Sequence, residues 1–173
     1  GRGSSAMAVS RVFKCNVVGV EFGAPAAAEA HAGSLGSPAA PSAFFLRGDA
    51  ECPPLRPGRF DAVFCECSMS LFADKAGAVR EIARLLRPEG RFGLSDVTVT
   101  PDCLPPELGG TVGQLLCLSD ALDTQGYFRL LRTGGLEVIH WRDSSEEILR
   151  ILDDVEGKLG AFGAWKSLTQ QTG

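Results

Sequence analysis

Several features that would assign the chain to a membrane or to nucleic acid are missing from its 173 residues. No apolar run approaches the ~20 residues that a membrane-spanning helix needs, and no secretory signal is visible. The net charge is -4 and no stripe of basic residues stands out, which argues against a nucleic-acid partner. The length and the 45% hydrophobic content predict one globular domain with a sizeable core.

Metal-binding signatures are also scarce. The six cysteines show no Cys-x-x-Cys spacing and have no histidine near them, so neither a structural zinc site nor any resident metal is expected. Free cysteines in this number indicate a reduced, cytoplasmic setting. His31 and His140 have no acidic partner in view and are not expected to act as bases.

The most informative stretch is residues 60–97. Its pattern predicts a buried strand over Asp61–Phe64 and a helix that begins near Lys75 and is capped by Asp74. A second strand is predicted over Arg91–Val97.

This order of strand, helix and strand forms a parallel crossover, and the helix is expected to end at Pro88 and Gly90. In open parallel sheets the ligand binds beyond the carboxyl ends of the strands. The candidate site is therefore formed by the residues that follow the two strands, namely Cys65, Glu66, Cys67, Ser95 and Asp96.

The first residues follow a pattern of nucleotide-binding sites. Gly1 and Gly3 precede a predicted helix over Ser4–Phe13, and the apolar strand after it, residues 16–21, ends in Glu21. Glycines let the backbone approach a ligand, and an acid at this position accepts hydrogen bonds from ribose hydroxyls. The alternative for Glu21 is a solvated charge at the end of a strand.

Residues 80–90 read Arg-Glu-Ile-Ala-Arg-Leu-Leu-Arg-Pro-Glu-Gly. They resemble the region between the fourth and fifth strands of class I S-adenosylmethionine (SAM)-dependent methyltransferases with a type 11 domain. The resemblance implies an α/β fold, doubly wound and Rossmann-like, with a mainly parallel sheet and helices on both faces. It also implies a methyltransferase core over residues 1–143, followed by a C-terminal helix and tail over 144–173.

The same resemblance bears on the start of the chain. Gly1-Arg2-Gly3 is similar to the last residues of the glycine-rich turn of the family, so the first strand of the family is expected to be missing here. Because that strand lies between the second and the fourth, its absence would leave two open strand edges.

SAM is the cofactor that the resemblance implies, and a small molecule is the implied partner. In the family an acid after the third strand receives the adenine amino group, and Asp49 in Gly-Asp-Ala has that place. A simple turn-forming role is the alternative for Asp49. The residues expected to bind the cofactor are Gly1, Gly3, Glu21, Phe22, Asp49, Ala50, Cys65 and Glu66.

Within the family, residues 65–75 resemble the arsenite methyltransferases, which carry a cysteine after the fourth strand. Cys67 falls on that cysteine and Cys117 on a second one, so both are candidate catalytic residues that would hold trivalent arsenic as substrate. Thiolates suit this soft element, and its lone pair can attack the SAM methyl group. The third thiol of the group lies upstream, in residues that this chain lacks.

Other interpretations stay open. Free cysteines are often buried as small hydrophobic residues. Glu66 and Ser70 replace asparagines of the arsenite group, which suits a different small-molecule acceptor. An NAD-dependent oxidoreductase is disfavoured because the pattern of residues 80–90 is typical of methyltransferases. A non-catalytic or degenerate methyltransferase-like fragment is the remaining hypothesis, and the sequence does not indicate an oligomeric state.

Three further elements are predicted towards the C-terminus. A helix is predicted over Asp123–Thr133, closed by Gly134 and Gly135. A strand over Leu136–Trp141 follows, and then a helix over Ser144–Leu159.

Overall fold

A computed structural model describes residues 1–37, 42–100, 117, 118, 120–147 and 150. Helices and parallel strands alternate along this part of the chain, which confirms the predicted α/β fold. A short 3-10 helix, Met69–Leu71, follows the third strand. In chain order the main elements are α1 (Ser4–Phe13), β1 (Val17–Glu21), α2 (Ala24–Leu35), β2 (Ala43–Arg47), β3 (Phe60–Glu66), α3 (Lys75–Leu85), β4 (Leu86–Ser95) and α4 (Thr124–Thr133).

The first sheet pairs β1 with β2 in parallel, with Glu21 opposite Arg47. Phe45 of β2 points towards the helices, and its ring lies close to Gly3 at the start of α1. Ala30 of α2 is fully buried on the same side. Phe44 points the other way and is 53% exposed, so helices cover one face of this sheet and leave much of the other open.

The second sheet pairs β3 with β4 in parallel, with Glu66 opposite Ser95. Helix α3 packs on this sheet, and Asp74 caps it as predicted, because its carboxylate accepts the N–H of Gly77 at 2.8 Å. The core of this half is a cluster of buried side chains from β3, the 3-10 helix, α3, β4 and α4, namely Cys65, Met69, Ala78, Val79, Ile82, Leu86 and Tyr127.

Helix α3 ends at Leu85 and β4 starts at the next residue, earlier than the predicted stop at Pro88. The N–H groups of Gly58 and Arg59 donate to the carbonyls of Arg84 and Leu85, both at 2.9 Å. These long-range bonds occupy carbonyls of the last helical turn, and the chain continues from there as a strand of the sheet. A local sequence pattern contains no information about these long-range bonds, so the end of the helix was predicted too late in the sequence.

The strands form two separate sheets, and no hydrogen-bonded ladder joins β1 to β3 within the described residues. Among the described residues, each of these two strands therefore has a ladder partner on one edge only. Side-chain bonds connect the loop between β2 and β3 to the start and the end of α3. The Glu51 carboxylate accepts the N–H groups of Ala73 and Asp74 at 2.7 and 3.0 Å, and Arg84 donates to the Leu55 carbonyl at 2.9 Å.

The prediction of a strand over Leu136–Trp141 is wrong. The N–H of Leu136 donates to the carbonyl of Leu131 at 3.0 Å and so helps to close the end of α4. Ile139 stays 66% exposed. A short apolar run forms a strand only where a neighbouring strand satisfies its backbone groups, and the run itself does not show whether one is available.

The chain divides into two compact units between Glu137 and Val138. In the second unit, residues 145–147 and 150 are helical. The remainder of the helix predicted over Ser144–Leu159 lies outside the described residues, as does Cys103, and the domain boundary predicted after residue 143 stays a prediction. In the part of the chain that the structure describes, each helix is too short or too polar to cross a membrane.

Candidate functional site

Glu21 ends β1 and holds the first residues of the chain around its carboxylate. One oxygen accepts the N–H of Gly23 at 2.7 Å, and the backbone nitrogen of Gly1 lies in contact with the other. The Glu21 side chain is 21% exposed, so its oxygens can still be reached from solvent. The structure thus brings two of the predicted cofactor residues together, and ribose binding by Glu21 stays a prediction.

Gly3 is fixed by the packing of the protein itself. Its φ is +82°, a left-handed conformation that favours glycine, at the residue before α1. A Cβ at this position would lie 2.6 Å from the ring of Phe45 and 3.0 Å from the methyl group of Ala30. The fold therefore requires glycine here, whatever role its backbone has towards a ligand.

Asp49 lies just beyond β2, next to the end of β1, because the N–H of Gly48 donates to the Glu21 carbonyl at 3.0 Å. Its Oδ1 accepts the N–H of Glu51 at 2.9 Å, which makes a turn that includes Ala50. The turn-forming role considered for Asp49 is therefore observed. A carboxylate can accept several hydrogen bonds, so capacity remains for the amino group of a ligand.

The other three residues predicted to bind the cofactor differ in exposure. Phe22 is 73% exposed directly after Glu21, and Glu66 is exposed at the end of β3. Cys65 points into the core and is 9% exposed, with its thiol 3.8 Å from the Ser68 hydroxyl. Burial raises the pKa of Cys65 to about 11, although the hydrogen bond to Ser68 acts in the opposite direction. The side chain of Cys65 therefore belongs to the core, and its backbone is the part left for a cofactor.

Cys67 and Cys117 lie together although 50 residues separate them in the sequence. The Cys117 thiol donates to the Cys67 carbonyl across 3.6 Å, and the Cys67 N–H donates to the Ser95 carbonyl at 2.8 Å. Both cysteines have left-handed backbones, with φ of 46° and 61°. Non-glycine residues seldom adopt this conformation, and those that do are enriched at functional sites. The two predicted catalytic residues therefore share one place at the end of β4.

The surroundings of both thiols favour the protonated form. Burial raises the pKa of Cys67 and of Cys117, and the negative charge of Asp96 raises each pKa further. Cys117 and Glu66 add to the effect on Cys67. Within the described residues, no three His, Cys, Asp or Glu side chains are grouped so that they could hold a metal ion.

Asp96 connects the two strands of this half at their carboxyl ends. Its carboxylate accepts the N–H of Ser70 at 3.1 Å and the N–H of Val97 at 2.9 Å, which ties the turn after β3 to the end of β4. The sequence analysis placed Asp96 at the candidate site but gave it no role.

Two buried hydroxyl groups are the feature that the sequence analysis missed. Tyr127 of α4 is 5% exposed and Ser70 is 0% exposed, and neither hydroxyl makes a hydrogen bond of normal geometry within the described part of the chain, although the backbone of Leu122 is close enough to the Tyr127 hydroxyl to lower its pKa. Burial and then the charge of Asp96 raise the pKa of Tyr127. Helical spacing predicted a core position for Tyr127, and no signal in the sequence shows that its hydroxyl lacks a partner.

Comparison with known proteins connects this geometry to one family. The chain is 28% identical over 123 residues to the glycine/sarcosine/dimethylglycine N-methyltransferase of Actinopolyspora halophila, a match that covers 66% of this chain and 21% of that protein. The solved structure of SpnF, a cyclase, has a TM-score of 0.74 at 23% identity and covers 84% of this chain and 52% of that one. The solved structure of an arsenic(III) SAM methyltransferase from Chlamydomonas reinhardtii has a TM-score of 0.57 at 30% identity. This match covers 69% of this chain and 43% of that one.

These proteins are longer than the chain, which spans about a fifth of the N-methyltransferase and about half of each solved structure. The similarity to SpnF shows the fold alone. A match to the methyltransferase domain family covers residues 1–94, more than half of the 173 residues. The chain therefore belongs to the methyltransferase domain family.

Proposed function

We propose that the protein to which this chain belongs transfers a methyl group from SAM to a small molecule, and that the acceptor is trivalent arsenic. The choice of acceptor rests on the contact between Cys67 and Cys117, which lie 50 residues apart in the sequence. The relative that is named as an arsenic(III) methyltransferase supports the same choice.

The residues at the ends of β1 and β2 suit SAM. Glu21 and Asp49 both offer carboxylate oxygens, and their positions are linked by the bond from Gly48 to the Glu21 carbonyl. The adenosine part of SAM carries hydroxyl and amino groups that donate hydrogen bonds, so acceptor side chains are the groups it needs. SAM, when bound, supplies an electrophilic methyl group, and these residues would hold and orient its adenosine end.

The thiol pair suits trivalent arsenic. Arsenic is soft and prefers sulfur to oxygen ligands, and Cys67 and Cys117 present two sulfur atoms at the carboxyl end of the second sheet. Two arsenic–sulfur bonds would fix the position of the arsenic atom and leave its lone pair free. The protein then has only to align the arsenic lone pair with the methyl group. No protein base is needed, because the lone pair is already free to attack.

A different small-molecule acceptor is the second candidate. The N-methyltransferase relative acts, by its name, on glycine and its methylated derivatives. Glu66 and Ser70 stand where the arsenite group has asparagines, and Asp96 lies close enough to influence both thiols and Tyr127. A carboxylate in this place could receive the proton of a hydroxyl or amine acceptor.

Arsenite binding tests the choice of acceptor. The affinity of the purified chain for arsenite is measured by equilibrium dialysis for the wild type, Cys67→Ser and Cys117→Ser, with Cys15→Ser and Cys52→Ser as matched controls at exposed cysteines. Loss of either thiol of the pair should weaken binding on the order of 10- to 100-fold, because a two-point attachment becomes a one-point attachment. Unchanged affinity of Cys67→Ser and Cys117→Ser would reject arsenic and favour another acceptor.

Cofactor binding is measured separately, so that the two parts of the proposal can fail independently. Titration calorimetry with S-adenosylhomocysteine reports on the ends of β1 and β2, and the Cys67→Ser variant should bind it like the wild type. A chain that binds arsenite but not S-adenosylhomocysteine would speak against the cofactor assignment and not against the thiol pair.

A further inference from the structure

Glu51 contacts both the turn after β2 and the residues that lead into α3. One oxygen of its carboxylate accepts the N–H of Ala73 at 2.7 Å, and the other accepts the N–H of Asp74 at 3.0 Å. The backbone of Glu51 is held in turn, because its N–H donates to the Asp49 carboxylate at 2.9 Å. A single residue therefore joins the carboxylate proposed to receive the adenine amino group to the start of α3.

The residues from Cys67 to Asp74, called here the acceptor loop, are packed as one piece. The middle of the loop is the 3-10 helix Met69–Leu71, in which Met69 and Ser70 are fully buried. The N–H of Phe72 donates back to the Met69 carbonyl at 3.2 Å. Close packing transmits displacements, so a shift at one end of the acceptor loop is felt at the other end.

The other end of the acceptor loop is fixed to the end of β4. The N–H of Ser70 donates to the Asp96 carboxylate at 3.1 Å, and the N–H of Cys67 donates to the Ser95 carbonyl at 2.8 Å. The thiol of Cys117 lies 3.6 Å from the Cys67 carbonyl at this same end. The acceptor loop is thus held by the turn after β2 on one side and carries half of the thiol pair on the other.

We propose that Glu51 is a positioning residue that couples the binding of adenosine at Asp49 to the binding of the acceptor at Cys67. An amino group that donates to Asp49 fixes the turn from which the Glu51 carboxylate extends, and this carboxylate fixes the acceptor loop. A ligand on Cys67 favours the same arrangement from the opposite end. This inference rests on the proposed function, since it takes Asp49 as part of the cofactor site and Cys67 as part of the acceptor site.

The coupling is reciprocal by thermodynamic linkage. If S-adenosylhomocysteine raises the affinity of the chain for arsenite, arsenite raises the affinity for S-adenosylhomocysteine by the same factor. Hydrogen bonds to a charged acceptor are the stronger kind, and Glu51 makes two of them to the acceptor loop. We expect a factor of roughly 5 to 10, at the lower end of the usual range for coupled sites.

The test measures arsenite affinity by equilibrium dialysis, with and without saturating S-adenosylhomocysteine. In the wild type the cofactor product should raise the affinity roughly 5- to 10-fold. Glu51→Ala, which removes both acceptor oxygens, should bring this ratio close to one, and Glu51→Gln, which keeps one oxygen, should give an intermediate ratio. Without S-adenosylhomocysteine both variants should bind arsenite about as the wild type does. Asp123→Asn is the matched control, because it removes the charge of a carboxylate that accepts a backbone N–H at the start of α4, and it should keep the wild-type ratio.

Amide hydrogen exchange measured by NMR separates this role from a structural one. The N–H groups of Ala73 and Asp74 are the donors to Glu51, so S-adenosylhomocysteine should slow their exchange in the wild type and not in Glu51→Ala. The N–H of Gly126, which donates to Asp123, is the internal control and should not respond. A residue that only stabilised the fold would give faster exchange in the variant but the same response to S-adenosylhomocysteine.

The outcomes distinguish the coupling from the proposed function. Equal arsenite affinity with and without S-adenosylhomocysteine, in a wild type that binds both, would overturn the coupling and leave the proposed function standing. A full wild-type ratio in Glu51→Ala would overturn the role of Glu51, because the coupling would then run through other residues. If the wild type binds no S-adenosylhomocysteine, or if Cys67→Ser binds arsenite as the wild type does, the proposed function fails and the coupling fails with it.

Discussion

Replacement of Cys65 by alanine should change how the stability of the chain depends on pH. Burial raises the pKa of this thiol from 9.0 to about 11 in the folded chain. The unfolded chain therefore releases the proton first as the pH rises, and this release stabilises the unfolded state. The contribution of Cys65 to stability is fully present below pH 9 and is lost as the pH rises towards 11. Since one pKa unit corresponds to about 1.4 kcal/mol, the free energy of unfolding should fall by about 2 kcal/mol between pH 8.5 and 10.5 from this group alone.

Urea denaturation at these two pH values measures the effect in the wild type and in Cys65→Ala. The alanine variant also loses packing energy, but that loss is the same at both pH values. Between pH 8.5 and 10.5 its free energy of unfolding should therefore decline about 2 kcal/mol less than that of the wild type. Tyr127 also has a raised pKa, but it is present in both proteins, so its effect cancels in the difference. Cys52→Ala, at an exposed cysteine, should follow the wild type. Parallel profiles of wild type and Cys65→Ala would refute the placement of this thiol in the core and favour the cofactor contact predicted from the sequence.

Three further changes test other parts of the molecule. Glu21→Gln should weaken the binding of S-adenosylhomocysteine by about 1–3 kcal/mol in titration calorimetry, because a charged acceptor for ribose hydroxyls is lost, and unchanged affinity would contradict that role. Gly3→Ala should lower the free energy of unfolding by about 1–3 kcal/mol in urea, because its φ is +82° and the new Cβ would lie 2.6 Å from the Phe45 ring; a smaller loss would mean that the ring moves freely. Glu51→Gln should cost about 1 kcal/mol in the same assay, since two backbone N–H groups before α3 lose a charged acceptor, and a change within error would show that these exposed bonds contribute little.

The elements that could be predicted from the sequence are those whose causes are local. Helix α1 was predicted to its observed ends, and the Asp74 cap of α3 follows from a side chain three residues from its partner. The sequence also predicted a site at the carboxyl ends of β1 and β3, because parallel crossovers bring such ends to one edge, and this stays a prediction. Local spacing and chain direction decide each of these features.

The features that escaped prediction depend on distant residues. Residues 136–141 are apolar enough for a strand but form no ladder with the described residues, and the end of α3 is set by N–H groups of Gly58 and Arg59. The side chain of Cys65 falls on the core face of β3, and a period of two cannot tell which face of a strand is buried. None of these facts is encoded within a few residues of sequence.

The separation of the two sheets bears directly on the proposed chemistry. The residues suited to SAM lie at the end of the β1–β2 sheet, and the thiol pair lies at the end of the β3–β4 sheet, with no ladder between them in the described part of the chain. Methyl transfer depends on alignment between donor and acceptor, and a misplacement of 1 Å can cost on the order of 100-fold in rate. The bonds of Glu51 and Arg84 connect the loop that follows β2 and Asp49 to the start and the end of α3, which packs on the β3–β4 sheet. Changes at those residues should therefore impair methyl transfer by more than their small effect on stability suggests, because they set the distance between two half-sites that the backbone alone does not fix.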